Sequence, residues 1–241
     1  MKRLLGVLVM LLGFGGSAFA ADPAPTAGMR TIYLIRHGTY DRDSSVDDRT
    51  GNPLNELGRE QAKLIGRRLA ALPVRITTLT SSTLTRARET ADLMGREMRM
   101  TPWRDSLLNE CTPYTYREDI MKGLEPGEAD SAEAQLGRAW TRYVRATAEN
   151  EHDVLVCHGN VIRWFTCKAL GLDTKRWLSM EIANGSLTTL LVRPDGSLRL
   201  VTYSDVGHLP VEKQTWTGKG GNWAGVAEPV KPKVSAKGRR Y

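Results

Sequence analysis

The chain has 241 residues, of which 41% are hydrophobic and 25% are charged, and this is the composition of an ordinary globular protein. Its formal net charge is +7, but the excess of bases lies at the two ends. Residues 1–20 carry two bases, residues 218–241 carry six bases and one acid, and the remaining 26 bases and 26 acids cancel. This neutral middle, residues 21–217, suits one domain. It disfavours a nucleic-acid-binding domain, so no nucleic-acid partner is expected.

The first twenty residues have the three-part form of a secretory signal. Lys2 and Arg3 precede an apolar run over residues 4–14, and small residues lead to Ala20. That run is about half of the roughly 20 residues that span a bilayer. We therefore expect cleavage after Ala20 and a periplasmic or secreted protein, with a retained anchor as the alternative. Residues 218–241 are expected to be disordered, and their charge suits contact with an anionic envelope surface.

The middle of the chain alternates between strand and helix patterns. In chain order, the patterns predict a strand at 31–35, a helix capped by Asn55, a strand at 76–80, a helix at 84–94, a strand at 107–110, a helix at 131–147, a strand at 153–157 and a helix at 161–170. Residues 186–193 and 197–203 predict a β-hairpin. Residues 39–54 and 111–130 are expected to be long loops. The fold class is therefore α/β, with a mainly parallel sheet, helices on both faces and an antiparallel edge.

Two histidines directly follow predicted strands. His37 comes after the first strand and His158 after the strand at 153–157. Ligands of open α/β sheets bind outside the carboxyl ends of the strands. Arg36 lies at the same edge, and Arg86 lies in the first turn of a helix, where backbone N–H groups attract anions. Two imidazoles and two guanidiniums in one crevice suit a phosphoryl dianion, although each residue taken alone has a structural alternative.

Four segments, at compatible spacings, resemble the signature of the histidine phosphatase superfamily, the phosphoglycerate mutase-like proteins. They are residues 34–38 (LIRHG), 53–62 (PLNELGREQA), 81–91 (SSTLTRARETA) and 156–163 (VCHGNVIR). The resemblance covers roughly residues 31–211 and implies a phosphoglycerate mutase-like fold. Within the superfamily, residues 184–188 (NGSLT) and 193–196 (RPDG) are most similar to the mitochondrial serine/threonine-protein phosphatases known as phosphoglycerate mutase family member 5. Those phosphatases carry other small residues where this chain has Gly38 and Gly159.

The resemblance implies a phosphoric monoester hydrolase that works through a phosphohistidine. His37 would be the nucleophile, and Arg36, Arg86 and His158 would hold the phosphoryl oxygens. Glu110 matches the proton donor of the family, with a solvated loop glutamate as the alternative. His208 is a candidate for the rim of the site, although its position favours an ordinary loop histidine. No metal or other cofactor is implied.

The substrate stays open between a phosphoprotein and a small phosphate ester. One alternative is an exported phosphatase for cell-envelope sugar phosphates, such as lipopolysaccharide core heptose. Another is a non-catalytic phosphate-binding protein, because a fold does not determine a function. The oligomer and partners of the similar mitochondrial phosphatases are not carried over, so the oligomeric state is not predicted.

Overall fold

The computed structural model describes residues 28–47 and 49–216. Six strands form one sheet: β1 Arg30–Arg36, β2 Thr78–Ser81, β3 Trp103–Arg104, β4 Glu151–Cys157, β5 Leu187–Val192 and β6 Leu198–Asp205. Their order across the sheet is β3-β2-β4-β1-β5-β6. The first four of these pair in parallel, whereas β5 is antiparallel to both β1 and β6. The mainly parallel sheet with an antiparallel edge is confirmed.

Helices cover both faces of this sheet. They are α1 Glu56–Ala70, α2 Thr85–Met98, α3 Glu118–Met121, α4 Glu128–Tyr143 and α5 Gly159–Ala169. Along β1, Ile32 and Leu34 pack into a cluster with side chains of α4 and α5, and the alternate residues Tyr33 and Ile35 pack into a second cluster with α1 and α2. A strand buried on both faces needs apolar residues at successive positions, which explains its continuous apolar run.

Local signals mark the ends of several elements where the sequence predicted them. The side chain of Asn55 accepts a hydrogen bond from the N–H of Gly58 at 2.9 Å, so the predicted cap of α1 is confirmed. The hairpin of β5 and β6 turns at Gly196, whose φ of +78° favours glycine. These interactions join residues that are near in sequence, which is why the sequence predicts them.

Two predicted elements differ from the structure. The strand predicted at 107–110 is wrong: the third strand is Trp103–Arg104, and Ser106–Leu108 is a 3₁₀ helix. The Asp105 side chain accepts the N–H of Leu107 at 2.9 Å and so begins that turn. Both residues of β3 are exposed, so no apolar run marks the strand. Helix α4 begins at Glu128, inside the segment that was expected to be a loop.

The predicted signal segment, residues 1–20, and the predicted basic tail, residues 218–241, lie outside the described residues. Within residues 28–47 and 49–216, no helix combines the length and the hydropathy needed to cross a bilayer.

Candidate active site

The carboxyl ends of β1 and β4 bring two predicted site histidines together. Arg36 and Cys157 are paired in the parallel register, and each is followed directly by a histidine. The N–H of His37 donates to the carbonyl of Cys157 at 3.1 Å. The rings of His37 and His158 lie with their centroids 5.0 Å apart. Neighbouring parallel strands end at the same edge of a sheet, so the expected proximity of these histidines is present.

Helix α2 delivers Arg86 to the same edge. Its Nε donates to Nε2 of His37 at 3.1 Å, and the side chain is buried. One turn along the helix, the hydroxyl of Thr90 donates to the carbonyl of Arg86 at 2.7 Å and accepts the N–H of Gly38 at 3.1 Å. Thr90 therefore ties the helix that carries Arg86 to the backbone that follows His37.

The hydrogen-bond partners of His37 determine which ring nitrogen carries the proton. Nδ1 lies 2.8 Å from the carbonyl oxygen of Gly38, which can only accept, so Nδ1 is the protonated nitrogen. Nε2 receives its hydrogen bond from Arg86, which can only donate, so Nε2 keeps its lone pair. Burial, with Arg86 and Arg36 nearby, lowers the pKa of His37 well below its usual value. The ring is therefore a neutral base with an available nitrogen.

Arg36 adds a second buried cation at the end of β1. Its guanidinium donates to the carbonyl of Ile182 at 2.5 Å. Burial lowers the pKa of Arg36 to about 10, partly opposed by Glu110, so this side chain stays charged at neutral pH. Burial also lowers the pKa of His158 well below its usual value, so both imidazoles are neutral. Two guanidiniums beside them leave a net positive charge, which favours an anionic ligand.

Glu110 belongs electrostatically to the same site. Its Oε1 accepts the N–H of Asn160, in the first turn of α5, at 3.3 Å. Burial raises the pKa of Glu110, while Arg86 and Arg36 act in the opposite direction. A carboxyl group that keeps its proton to higher pH than usual has the property that a proton donor needs.

Among the described residues, no group of three or more His, Cys, Asp or Glu side chains is arranged to hold a metal ion.

The loop that follows β1 covers these side chains. The ring of Tyr40 lies 5.5 Å from that of His37, and the guanidinium carbon of Arg86 lies 5.1 Å from the Tyr40 ring centre. Further along the loop, Gly51 has a φ of +76°, and a Cβ there would lie 2.7 Å from Arg86 Nη1. His37 is consequently only 1% exposed.

His208 lies behind the site. Its Nε2 is 3.0 Å from the carbonyl of Gly185, and its Nδ1 is 3.2 Å from Arg68. The N–H of Gly185 contacts the carbonyls of Arg36 and His37, each at 3.1 Å. Burial lowers the pKa of His208 to about 4. The structure thus places His208 against the backbone that supports the site, and its predicted rim role stays a prediction.

Sequence reasoning missed the residues that contact His158. Its Nε2 lies 2.8 Å from the hydroxyl of Ser82, and that hydroxyl donates to Oδ1 of Asn109 at 2.8 Å. Ser82 directly follows β2, at the same sheet edge as both histidines. The position of Ser82 directly after a strand would have indicated that it lies at the site, as the positions of His37 and His158 did.

Comparison with known families agrees with this arrangement. Residues 32–206 match the family model of the histidine phosphatase superfamily, branch 1. The chain therefore belongs to the histidine phosphatase superfamily, as the sequence motifs predicted.

The similar proteins include phosphatases and a mutase. The mitochondrial serine/threonine-protein phosphatase Pgam5 of Caenorhabditis briggsae is 37% identical over 195 residues, which are 78% of this chain and 67% of that protein. The human PGAM5 is 37% identical over 199 residues, covering 77% and 66%. The chain thus spans about two thirds of the length of these relatives. The phosphoglycerate mutase of Plasmodium falciparum, 26% identical, superposes with a TM-score of 0.53 over 76% of this chain and 95% of its own.

These relatives correct the expected location. They are named as mitochondrial proteins, which contradicts the periplasmic or secreted location expected from residues 1–20, so that expectation is wrong. Residues 1–20 carry no acidic residue, a feature that mitochondrial transit segments share with secretory signals, so this feature does not by itself determine the compartment.

Proposed function

We propose that this protein is a metal-independent phosphatase that hydrolyses phosphomonoesters through a phosphohistidine on His37. The observation that carries the proposal is the state of the His37 ring. Its Nδ1 donates a hydrogen bond to the Gly38 carbonyl, and its unprotonated Nε2 accepts a hydrogen bond from the Arg86 guanidinium. A neutral imidazole that is oriented in this way can act as a nucleophile near neutral pH.

In the first step, the lone pair of His37 Nε2 attacks phosphorus and the bond from phosphorus to the leaving oxygen breaks. Glu110 gives its proton to that oxygen, so the alcohol leaves neutral. In the second step, water attacks the phosphohistidine, the phosphorus–nitrogen bond breaks, and Glu110 takes the proton of the water. The raised pKa of Glu110 supports this exchange of roles.

Arg36 and Arg86 supply the positive charge that the transferring group needs. Both arginine residues are buried, with 5% and 8% of their surfaces exposed, and charges act more strongly where water is excluded. Catalysis of phosphoryl transfer depends mainly on positioning and on such electrostatic stabilisation. This charge supports a reaction that proceeds without a metal ion.

The substrate that we propose is a phosphoserine or phosphothreonine side chain of a protein. Support comes from the relatives, which are named as serine/threonine-protein phosphatases and share 37% identity with this chain. Rates on phosphopeptides, sugar phosphates and nucleotides, measured side by side, test this choice. A sugar phosphate that outpaces every phosphopeptide would overturn it.

The reaction is tested by hydrolysis of an aryl phosphate in the presence of EDTA. We expect turnover by the unaltered protein, inhibition by vanadate and loss of turnover in His37→Ala. His152→Asn is the matched control, because His152 lies at the opposite end of β4, with Nδ1 3.3 Å from the Tyr33 hydroxyl. Activity that persists in His37→Ala would exclude the assigned nucleophile. Vanadate binding without any turnover would instead indicate a phosphate-binding protein.

A further inference from the structure

Asn109 holds the Ser82 hydroxyl in one orientation. Its Oδ1 accepts three hydrogen bonds, from the Ser82 hydroxyl at 2.8 Å and from the backbone N–H and the hydroxyl of Thr83, each at 2.9 Å. Because a backbone N–H is an unambiguous donor, the atom that receives it is the carbonyl oxygen of the amide. The single proton of the Ser82 hydroxyl is therefore directed at Asn109.

This orientation determines the tautomer of His158. The Ser82 oxygen already receives the N–H of Leu84 at 3.1 Å and has no second proton to give. His158 Nε2, 2.8 Å from that oxygen, must consequently be the donor. A neutral His158 then has a lone pair on Nδ1, which is buried and has no hydrogen-bond partner in the described part of the chain. Buried polar atoms of folded proteins nearly always have a hydrogen-bond partner, so an atom left in this way is available to contact a bound group.

We propose that Ser82 and Asn109 are positioning residues that hold His158 with an unprotonated Nδ1, so that a phosphoryl group binds together with one proton shared at that nitrogen. The inference rests on the phosphoryl site of the proposed function. Phosphoryl oxygens of a dianion and the Nδ1 lone pair are all acceptors, and they repel unless a proton lies between them. That proton comes from the ligand as its monoanion or from water, and no bond between heavy atoms changes.

The surrounding charges explain why the proton arrives with the anion. His37 and Arg36 at the end of β1 and Arg86 on α2 all face His158, and burial with these three groups lowers its pKa well below the usual value. Glu110, which interacts electrostatically with both arginines, is the acid of the same site. A dianion offsets the two guanidinium charges and thereby removes the main electrostatic obstacle to protonation.

The proton is measured by titrating phenylphosphonate into the full chain in a calorimeter, at about pH 8.5, above the second ionisation of the ligand. Its dianion, like that of a phosphomonoester and unlike hydrogen phosphate, carries no proton of its own. Two buffers with different ionisation enthalpies give the number of protons taken up. We expect about one proton per phosphonate, and an affinity that falls about tenfold for each further pH unit, as one-proton linkage requires. Phosphonate binding without proton uptake would overturn the inference and leave the phosphatase proposal standing. Absence of phosphonate binding would overturn both.

The positioning role is tested with Ser82→Ala, which frees Nε2 from its acceptor and lets Nδ1 carry the proton. We expect proton uptake to fall towards zero and the affinity to lose its pH dependence, while Ser82→Thr, which keeps the hydroxyl, restores both. Ser81→Ala is the matched control, because the hydroxyl of this buried neighbour donates to the Ser82 carbonyl and accepts from Arg104, rather than forming a hydrogen bond with His158. Nitrogen-15 spectra of the histidines report the tautomer directly. A Ser82→Ala protein with the proton uptake and the His158 nitrogen shifts of the unaltered protein would contradict the assignment.

Discussion

An added methyl group should destabilise the protein at Gly38 and be tolerated at Gly159, two glycines of the site motifs. A Cβ at Gly38 would lie 2.3 Å from the carbonyl oxygen of Gly58, a backbone atom of α1 that cannot turn away. Ordinary carbon–oxygen contact needs about 1 Å more, so the loop after β1 and the helix must separate by that amount. A Cβ at Gly159 would have its nearest neighbours at 3.4–3.6 Å, which is normal contact.

Gly38→Ala should therefore lower the free energy of unfolding by about 1–3 kcal/mol, the usual cost of overpacking. It should also slow turnover, because the Gly38 carbonyl orients His37 through the 2.8 Å bond to Nδ1. A displacement near 1 Å at a reacting group can cost about 10²-fold in rate.

Urea unfolding of Gly38→Ala and Gly159→Ala, with rates on an aryl phosphate, measures both effects. Gly159→Ala is the control and should remain within about 0.5 kcal/mol of the unaltered protein. Equal midpoints and equal rates for the two variants would refute the packing argument.

Three further outcomes are expected. The lowered pKa values of His37 and His158 mean that the unfolded chain binds more protons below about pH 6.5, so each histidine should remove up to about 1.4 kcal/mol of stability per pH unit on acidification. Glu110 acts in the opposite direction, because its raised pKa adds stability as the pH falls towards 4.5. Urea unfolding of the unaltered protein and of His158→Asn at several pH values separates the histidine contribution from that of Glu110. Arg86→Lys lacks the Nε that bonds His37 and should lower kcat/KM by about 10²–10³-fold, a range that steady-state rates would confirm or contradict. Asn55→Ala should cost about 1 kcal/mol in thermal unfolding with unchanged kcat, and a large loss of kcat would contradict its purely structural role.

Elements supported by contacts close in sequence could be predicted, and those that depend on distant contacts could not. The apolar runs of β1 and β4 and the cap at Asn55 are local features, and each was found. Strand β3 is only two residues long, and both residues are exposed. It forms because Trp103 and Arg104 pair with β2. Ordinary periodicity does not reveal such a strand, and the prediction was displaced to the following turn.

The candidate site divides in the same way. His37, His158 and Arg36 follow or end strands, so their shared edge could be inferred from the alternation of strands and helices. Ser82 and Asn109 lie 27 positions apart in the chain and meet only in the folded protein. Neither residue type is unusual in a loop. Their shared role follows from two contacts, the hydrogen bond from Ser82 to Asn109 and the hydrogen bond between Ser82 and His158.

The sequence by itself determined the fold class, the family and the edge of the sheet at which the histidines and arginines gather, because motif order and hydrophobic period are properties of the linear chain. Only the tertiary structure decided where the protons lie. The contacts with Gly38 and Arg86 leave Nε2 of His37 without a proton, whereas the contact with Ser82 leaves Nδ1 of His158 without one. The tautomer of an imidazole depends on the donors and acceptors around it, and at this site folding brings most of them from separate elements.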